Sequence, residues 1–560
     1  MHYTLLSGDP MDCNTLSISA VAAGLVTCVA CRDRSIRGDY ATLAAACTVA
    51  ALYWLFGKYP TTPGELGQTA STALVVLAYA FTTLLVTVLY RVSPWHPLAS
   101  YPGPFAAKLT SLWLVYTSYT GKRCQALEEL HNRYGPFVRI GPKHMSINSA
   151  SAVSLYLNTE KSEAYRYPGH NGVVALFFKQ DTPELHRGRK RAWQGFFTPT
   201  SIASLIQPLA RRTWELVETL DRRQAQDPNG VIDLAEATNQ WSHDYMGDIV
   251  FGGCNALDLM KNGDPHRIVD TGKEAAGLFD CISHAQWLLD ILWRIPATEN
   301  MHSLESLAAQ MTRARVKSKD LPEFRDLTSY LLEAEIPQNE LEADSIVAIM
   351  GGSDSTSAIL ALSVYRILAH RSYYDLLRQE LFEAFPDPMA HIEMDELASL
   401  PILNGVINET LRLYSSDFNG RIVPDGGMVI DGKFLPGGTI AALAARAIQM
   451  SPEHFFPAPE EFRPERWTPQ GLGPATVTNK AVLTSFSFGP HYCMGKALAY
   501  HQMRYALTRL ILAFDMEFEK GFEPEAFNDA LLNMRTVLMR KKLRVSIKRR
   551  PGVDLEKHMI

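Results

Sequence analysis

An excess of positive charge is the first thing this 560-residue chain lacks: 54 Lys and Arg stand against 59 Asp and Glu, a net charge of -5. Without a basic surplus it has no electrostatic footprint for a polyanion, so nucleic acid is not an expected partner. Cysteine is scarce as well. Eight in the whole chain do not make a disulfide scaffold, and they suit a reducing compartment where one thiolate can carry a task. No internal repeat is visible, and beyond residue 104 no stretch rich in Gly, Ser and Pro marks a second linker. No Gly-x-Gly-x-x-Gly follows a strand-like segment, so no flavin or dinucleotide domain is expected. With 47% apolar and 20% charged residues, the chain has the makings of a folded, core-forming protein.

Charge is absent altogether from the runs Thr15 to Cys31, Ala41 to Gly57 and Thr69 to Tyr90. The third is long enough to span hydrocarbon as a helix at ~1.5 Å per residue. The first two sit near the lower limit, and read as spans or as buried or interfacial hairpin helices. No Lys or Arg precedes the first run, which argues against a signal peptide. Residues 1–92 are thus expected to form a membrane anchor with up to three transmembrane helices (15–31, 41–57, 69–90). Arg32, Arg34 and Arg37 follow the first run and Arg91 follows the third. The positive-inside rule then puts both arginine-bearing ends in the cytosol, the N-terminus in the lumen, and everything after Arg91 in the cytosol. On that topology the sequon Asn408-Glu409-Thr410 is one in form only. Cys28 and Cys31 sit in the apolar run as small fillers. Residues 93–104 hold Trp95-His96-Pro97-Leu98 and Tyr101-Pro102-Gly103-Pro104, a density of proline that predicts a stiff hinge. Residues 105–560 follow as one large domain.

That domain is expected to be mainly α with a minor antiparallel β part. Amphipathic stretches predict helices over Ile202–Arg223, Asp344–His370, Arg371–Phe385, Met394–Tyr414 and Lys496–Phe514. Short strands are expected near Phe137–Ile140, His144–Ile147, Met428–Ile430 and Thr439–Ala444, the last two bounded by Gly-rich turns.

The chemistry-bearing residues gather near the C-terminus, in Phe486-Ser487-Phe488-Gly489-Pro490-His491-Tyr492-Cys493-Met494-Gly495. Cys493 precedes a strong helix, whose positive end favours a thiolate. Gly489 and Gly495 permit backbone to approach a flat ligand. A single soft sulfur with no Cys or His at zinc spacing argues against zinc and for iron held axially by one thiolate. The loop resembles the Phe-x-x-Gly-x-(Arg/His)-x-Cys-x-Gly motif of cytochrome P450 enzymes. Three further motifs carry the resemblance, which covers residues 95 to 547. Glu409-Thr410-Leu411-Arg412 is similar to the family's ExxR, its ends sharing a helix face. Phe462-Arg463-Pro464-Glu465-Arg466 is similar to its Phe-x-Pro-x-Arg segment. Gly351-Gly352-Ser353-Asp354-Ser355-Thr356, whose glycines each cost ~1 kcal/mol in mid-helix, resembles its (Ala/Gly)-Gly-x-(Asp/Glu)-Thr, with Ser355 where Thr is usual. A widened helix groove beside a ligand would account for those glycines.

The resemblance implies a P450 fold, haem b, and Cys493 as the axial iron ligand. It implies a buried structural network of Glu409, Arg412 and Arg466. It implies proton delivery by Asp354 and Ser355, with Thr356 able to share the task. His186, Lys190, Arg191 and Trp193, in a basic helix leading to Phe196-Phe197, match positions that meet the haem propionates. Arg421 and His491 match others, and Phe486 belongs to the cysteine loop. The long apolar start resembles fungal microsomal members of the family. The resemblance thus implies a monooxygenase of the endoplasmic reticulum membrane in fungal secondary metabolism, acting on an apolar small molecule of terpenoid, indole alkaloid or polyketide type. It would use O2 and electrons from NADPH through a separate NADPH–cytochrome P450 reductase, with Lys496, Arg504 and Lys190 as contacts. A haem-thiolate isomerase or dehydratase, a xenobiotic-detoxifying monooxygenase and a ligand-binding haem protein are the alternatives. Selectivity is expected near Tyr165–Phe178, Gly277–Trp293, Ile349–Gly352, Tyr414–Val423 and Asn528–Thr536. Phe177, Phe178, Phe279, Trp287 and Phe418 are the aromatic wall.

Overall fold

A computed structural model describes residues 13–32, 34–59, 67–167, 172–253, 257–318, 324–415, 420–534 and 536–555. Three apolar helices come first: α1 (Cys13–Cys31), α2 (Gly38–Lys58) and α3 (Gln68–Val92). By length and composition α2 and α3 can cross a membrane, and only 6% and 11% of their apolar stretches are buried inside the protein. The apolar part of α1, Thr15–Cys31, is shorter. Small residues bring α1 and α3 together. A Cβ at Gly24 would sit 3.1 Å from the Thr82 side chain, and Cys28 Sγ donates to the Thr83 carbonyl. Such close approach, with polar groups bonded across it, is how helices associate in lipid.

The body that follows is helical. The elements that place the site are α4 (Pro183–Phe196), α5 (Leu234–Phe251), α6 (Ile268–Ile282), α7 (Gln286–Leu292), α8 (Gln338–Ala369), α9 (Pro401–Leu413) and α10 (Lys496–Ala513). Their starts are written in the sequence. Thr182 caps α4 by accepting from Leu185 N, with Pro183 in the first turn, and Asp233 caps α5 by accepting from Glu236 N. The helix expected over Met394–Tyr414 is two, Met394–Ser399 and α9, because Pro401 starts a new one. The carboxylate of Glu380 accepts from Ile402 N and Leu403 N at 2.7 and 2.8 Å, capping α9 from a neighbouring helix.

Helix α8 is also apolar enough to cross a membrane, but 67% of its apolar stretch is buried. It is the central core helix. Leu360, Leu362 and Val364 pack with Trp241, Tyr245 and Ile249 of α5 and with Leu507, Leu510 and Ile511 of α10, all at most 0% exposed. Contrary to the expected groove, α8 runs unbroken past Gly351 and Gly352.

The principal sheet has the order β1 (Phe137–Arg139), β2 (His144–Ile147), then β4 (Ile440–Leu443) and β3 (Arg421–Ile422). Its β1–β2 and β3–β4 pairs are antiparallel, but β2 pairs with β4 in parallel, His144 opposite Ile440. A parallel pair needs a long crossover, here most of the helical body. Residues 93–104 pack onto this sheet: His96 and Leu98 are buried, Tyr101 Oη donates to Phe434 O at 2.7 Å, and Arg139 N donates to Pro102 O. Gly103 is required there, since a Cβ would lie 2.0 Å from the Arg139 carbonyl oxygen.

Candidate active site

A cavity of about 320 Å³ lies between α8, the start of α10 and α4. Cys493, Met494, Gly495 and Phe486 form one side. Gly351, Gly352, Ser355 and Thr356 of α8 form another. His186, Lys190, His491 and Lys161 stand along a third. The sequence motifs from three separate stretches thus meet at one place, joined there by Lys161.

The cysteine loop is fixed by its backbone. Cys493 N donates to Phe486 O at 2.8 Å, closing the turn before α10. A Cβ on Gly495 would stand 3.8 Å from Cys493 Sγ, so this glycine leaves the sulfur uncrowded. Gly489 has a different task from the one expected. It does not line the cavity, and at φ +64° its Cβ would lie 2.4 Å from Tyr156 O, so it seats the loop on protein backbone. Cys493 is exposed, but toward the cavity it lines. Burial among the surrounding atoms pushes its thiol up. The Gly495 N–H and Lys496 pull it down by less.

Cations gather at and beside the cavity. Arg421 does not line it but is buried next to Lys161, and among the described residues its Nε and Nη1 have no hydrogen-bond partner. Its guanidinium lies over Tyr156 and Tyr165, at 5.1 and 5.4 Å. Lys161 pairs backbone with Arg421 in an isolated antiparallel bridge and donates to Phe177 O. His491 Nδ1 is 3.2 Å from His186 Nε2. Burial, then Lys161, Lys190 and Arg421, push His186 down to about 4. Burial, Lys161 and Arg421 push His491 down to about 2. Lys190 donates to Pro490 O and lies 4.4 Å over the Tyr492 ring. Buried cations without counter-charge are costly, and this arrangement suits an anionic ligand that brings carboxylates.

Two members of the basic helix behave otherwise. Arg191 is exposed on the outer face of α4 and does not line the cavity. Trp193 lines the cavity, but its Nε1 donates to Asp344 Oδ2 at 2.9 Å rather than standing free for a ligand. Asp344 also accepts from Arg189 Nη2 at 2.5 Å and from Leu176 N at 2.8 Å. Sequence reasoning missed Asp344, Arg189 and Lys161. The i, i+4 spacing of Arg189 and Trp193 was a signal that they share a face. Lys161 stands in no motif.

The acid and the hydroxyls of α8 divide. Ser355 and Thr356 line the cavity, and Ser355 Oγ donates back to Gly351 O at 2.8 Å. Asp354 turns away into a polar recess on the other side of α8, lined by Glu236, Asn239, Gln240, Lys273 and Lys541. Its Oδ1 accepts from Asn239 Nδ2 at 3.3 Å and lies 4.0 Å from His243 Nε2. The two glycines have separate reasons. A Cβ at Gly352 would press within 2.5 Å of Met246 of α5, whereas one at Gly351 would meet nothing.

Behind the cysteine loop, Glu409 and Arg412 form a bidentate pair at 2.8 Å, both 0% exposed. Arg466 Nε donates to Glu409 at 3.3 Å, as do Trp467 Nε1 at 2.9 Å and Arg463 N at 3.1 Å. Arg412 Nη1 and Arg466 Nη2 donate to the carbonyls of Gln449, Pro459, Pro457 and Ala458, while Arg466 Nη1 has no partner among the described residues. Of the aromatic wall, Phe177 lines the cavity, while Phe178 and Phe279 stack around Tyr167 just outside it. Trp287 is half exposed on α7. Phe418 lies outside the described residues.

A family model for cytochrome P450 matches residues 102–546. The chain belongs to the cytochrome P450 family. Curated P450 relatives are fungal. The monooxygenase phqL of Penicillium fellutanum is 29% identical over 492 residues, 85% of this chain and 81% of that one. A tryprostatin B 6-hydroxylase of Aspergillus fumigatus is 30% identical over 494 residues, 86% of each. A P450 is a haem-thiolate oxidoreductase, and the residues fit such a group: one cysteine lines a cavity with Lys161, Lys190, His186 and His491, and beside them Arg421 has two nitrogens without a partner among the described residues. Among the described residues no cluster of His, Cys, Asp and Glu offers an alternative metal site.

Proposed function

We propose that this P450 is a monooxygenase of fungal secondary metabolism, held in the endoplasmic reticulum membrane with its body in the cytosol. Its substrate is an apolar small molecule of terpenoid, indole alkaloid or polyketide type, and its electrons come from NADPH through a separate reductase. The observation that carries this reading is that Cys493 and a group of basic side chains (Lys161, His186, Lys190 and His491) line one largely apolar cavity. The tryprostatin B 6-hydroxylase relative supports the indole class among the three.

Haem, when bound, would supply the redox centre at which O2 is activated. Cys493 would hold its iron, and thiolate donation favours O–O cleavage. Arg421, His186, Lys190, His491 and Lys161 would hold its propionates through charge-assisted hydrogen bonds. Met494, Gly495, Phe486 and Trp193 would shape its bed. Arg191 has no part in this.

Thr356 and Ser355 present hydroxyls to the cavity and would hold a proton donor there. Ser355 has already committed its hydrogen to Gly351 O, so Thr356 is the freer of the two. Asp354, facing the polar recess, would take up protons from the solvent side. Glu409, Arg412 and Arg466 do not touch the cavity and would fix the frame behind the cysteine loop. Lys496 and Arg504 lie by a depression on the outer side of that loop, where a reductase would dock. Arg504 is partly engaged with Asn404 Oδ1. Contacts of Gly38 and Asp39 with Asp290 and Arg294 of the body support the cytosolic placement of the first loop.

The test is optical. The reduced, carbon monoxide-bound full chain is expected to give the Soret band of thiolate-ligated haem, and Cys493→Ala to lose it. A band typical of histidine ligation in the unaltered protein would overturn the reading. Turnover without any reductase would redirect it to an isomerase or dehydratase.

A further inference from the structure

Helix α2 is fastened to the catalytic body at its first residue. Arg37, at its N-cap, supplies no side-chain cap. The cap comes from the body instead: Gly38 N donates to Asp290 Oδ2 of α7 at 2.9 Å. Approach is close enough that a Cβ on Gly38 would lie 1.9 Å from the Trp287 carbonyl oxygen. Beside it, Asp39 accepts from Arg294 at 3.2 Å and from Arg37 at 2.8 Å.

The fastening continues inward. Asp290 is buried and takes Arg166 Nη2 on both carboxylate oxygens, at 2.5 and 2.6 Å. The next residue, Tyr167, stacks on Phe178 at 4.4 Å and meets Phe279 and Trp293 edge-on at 5.4 and 5.0 Å. Phe177, the neighbour of Phe178, lines the cavity. Leu289, one residue before Asp290, is fully buried in the same cluster. A second fastening lies at the end of α3, where Arg91 Nη1 donates to Leu109 O and Arg139 Nη1 donates to Arg91 O.

We propose that α2 is a strut of the cavity roof: the Gly38–Asp290–Arg166 clip holds α7, residues 165–167 and the aromatic pair Phe177–Phe178 packed against Tyr167, and so governs how fast an apolar ligand enters and leaves. With α3 fixed as well, the body is held to its anchor at two points rather than swinging on one tether. A single carboxylate serves as helix cap and as ion-pair partner, so losing it releases both elements together. The inference rests on the reading above that α2 lies in the membrane and the cavity takes apolar molecules.

The test uses the full-length holoprotein in phospholipid nanodiscs, unaltered and as Gly38→Val and Asp290→Asn. The first variant forces α2 from Trp287; the second keeps shape and removes charge, and stands if the first does not fold. Two readings are taken: amide hydrogen exchange, and the optical kinetics of 4-phenylimidazole as the apolar probe. Exchange over 165–167, 177–178 and 286–294 is expected to rise about tenfold, and the probe's on- and off-rates to rise together severalfold with its Kd within about threefold. Exchange and rates that match the unaltered protein in both variants would overturn the clip. A probe that binds the unaltered protein without any optical shift would count against the haem reading instead, and exchange alone would still decide the clip.

Discussion

Two groups of buried arginines flank the site, and they differ in counter-charge. Arg412 and Arg466 share the Glu409 carboxylate, and backbone carbonyls meet most of their other donors, Arg466 Nη1 having no partner among the described residues. Arg421 is as deeply buried, but among the described residues no carboxylate meets it and its Nε and Nη1 have no partner, while its charged neighbours Lys161 and Lys190 depress the nearby histidines. The first group carries its own counter-charge in Glu409. For Arg421 none is present among the described residues, and an anionic ligand would supply it.

The comparison can be broken most severely at the network. Arg412→Ala leaves the Glu409 carboxylate buried with fewer donors, and ~3–5 kcal/mol of stability should go. Little folded protein is expected, measured as yield of soluble-in-detergent material and its unfolding midpoint, whether or not haem is supplied. If folded protein accumulates normally, the shared Glu409 carboxylate is not what holds the network. Arg421→Gln should do the reverse. The fold persists by circular dichroism, but haem loss to an acceptor protein accelerates by about tenfold or more, as for ~1.5–3 kcal/mol of charged hydrogen bonding. Unchanged haem release would end the case for a propionate cradle.

A smaller effect sharpens the same contrast through pH. In the chain without haem, His186 is held down to about 4 from an ordinary 6.5, first by burial and then by Lys161 and Lys190. Between those values the unfolded chain takes up a proton that the folded chain refuses, so stability falls as pH drops through that window. Haem carboxylates would lift His186 again and flatten the slope, which parallel melts at pH 6.5 and 4.5 would read; equal slopes with and without haem speak against it. Smallest of all, Arg191→Gln should leave haem release within twofold of the unaltered protein, since the side chain points outward.

Much of this site was legible because its motifs are local. The cysteine turn, the i, i+3 pair on α9 and the acid–hydroxyl run on α8 each sit within a few residues, where spacing alone sets who shares a face. What was not legible came from pairing across distance. Lys161 acquires its place only because its strand edge meets Arg421. Asp344 acquires its place from three donors in two other segments. Gly489 reads as a ligand-facing glycine until Tyr156 is found behind it. The division of Asp354 from Ser355 and Thr356 to opposite sides of one helix follows from 3.6 residues per turn, but which side holds the cavity is a tertiary fact. Pro401, by contrast, was visible in the sequence as a helix start and was read through.

Asp344 ties together three things that an engineer would wish to vary one at a time. Leu176 belongs to the segment beside the aromatic wall, Trp193 to the wall of the cavity, and Asp344 itself to the central helix. Any reshaping of the pocket that drags residues 172–178 will tug on the same carboxylate that steadies Trp193. Variants selected here for a broader range of accepted molecules should therefore tend to shed their prosthetic group, and a useful library would leave this one bolt alone.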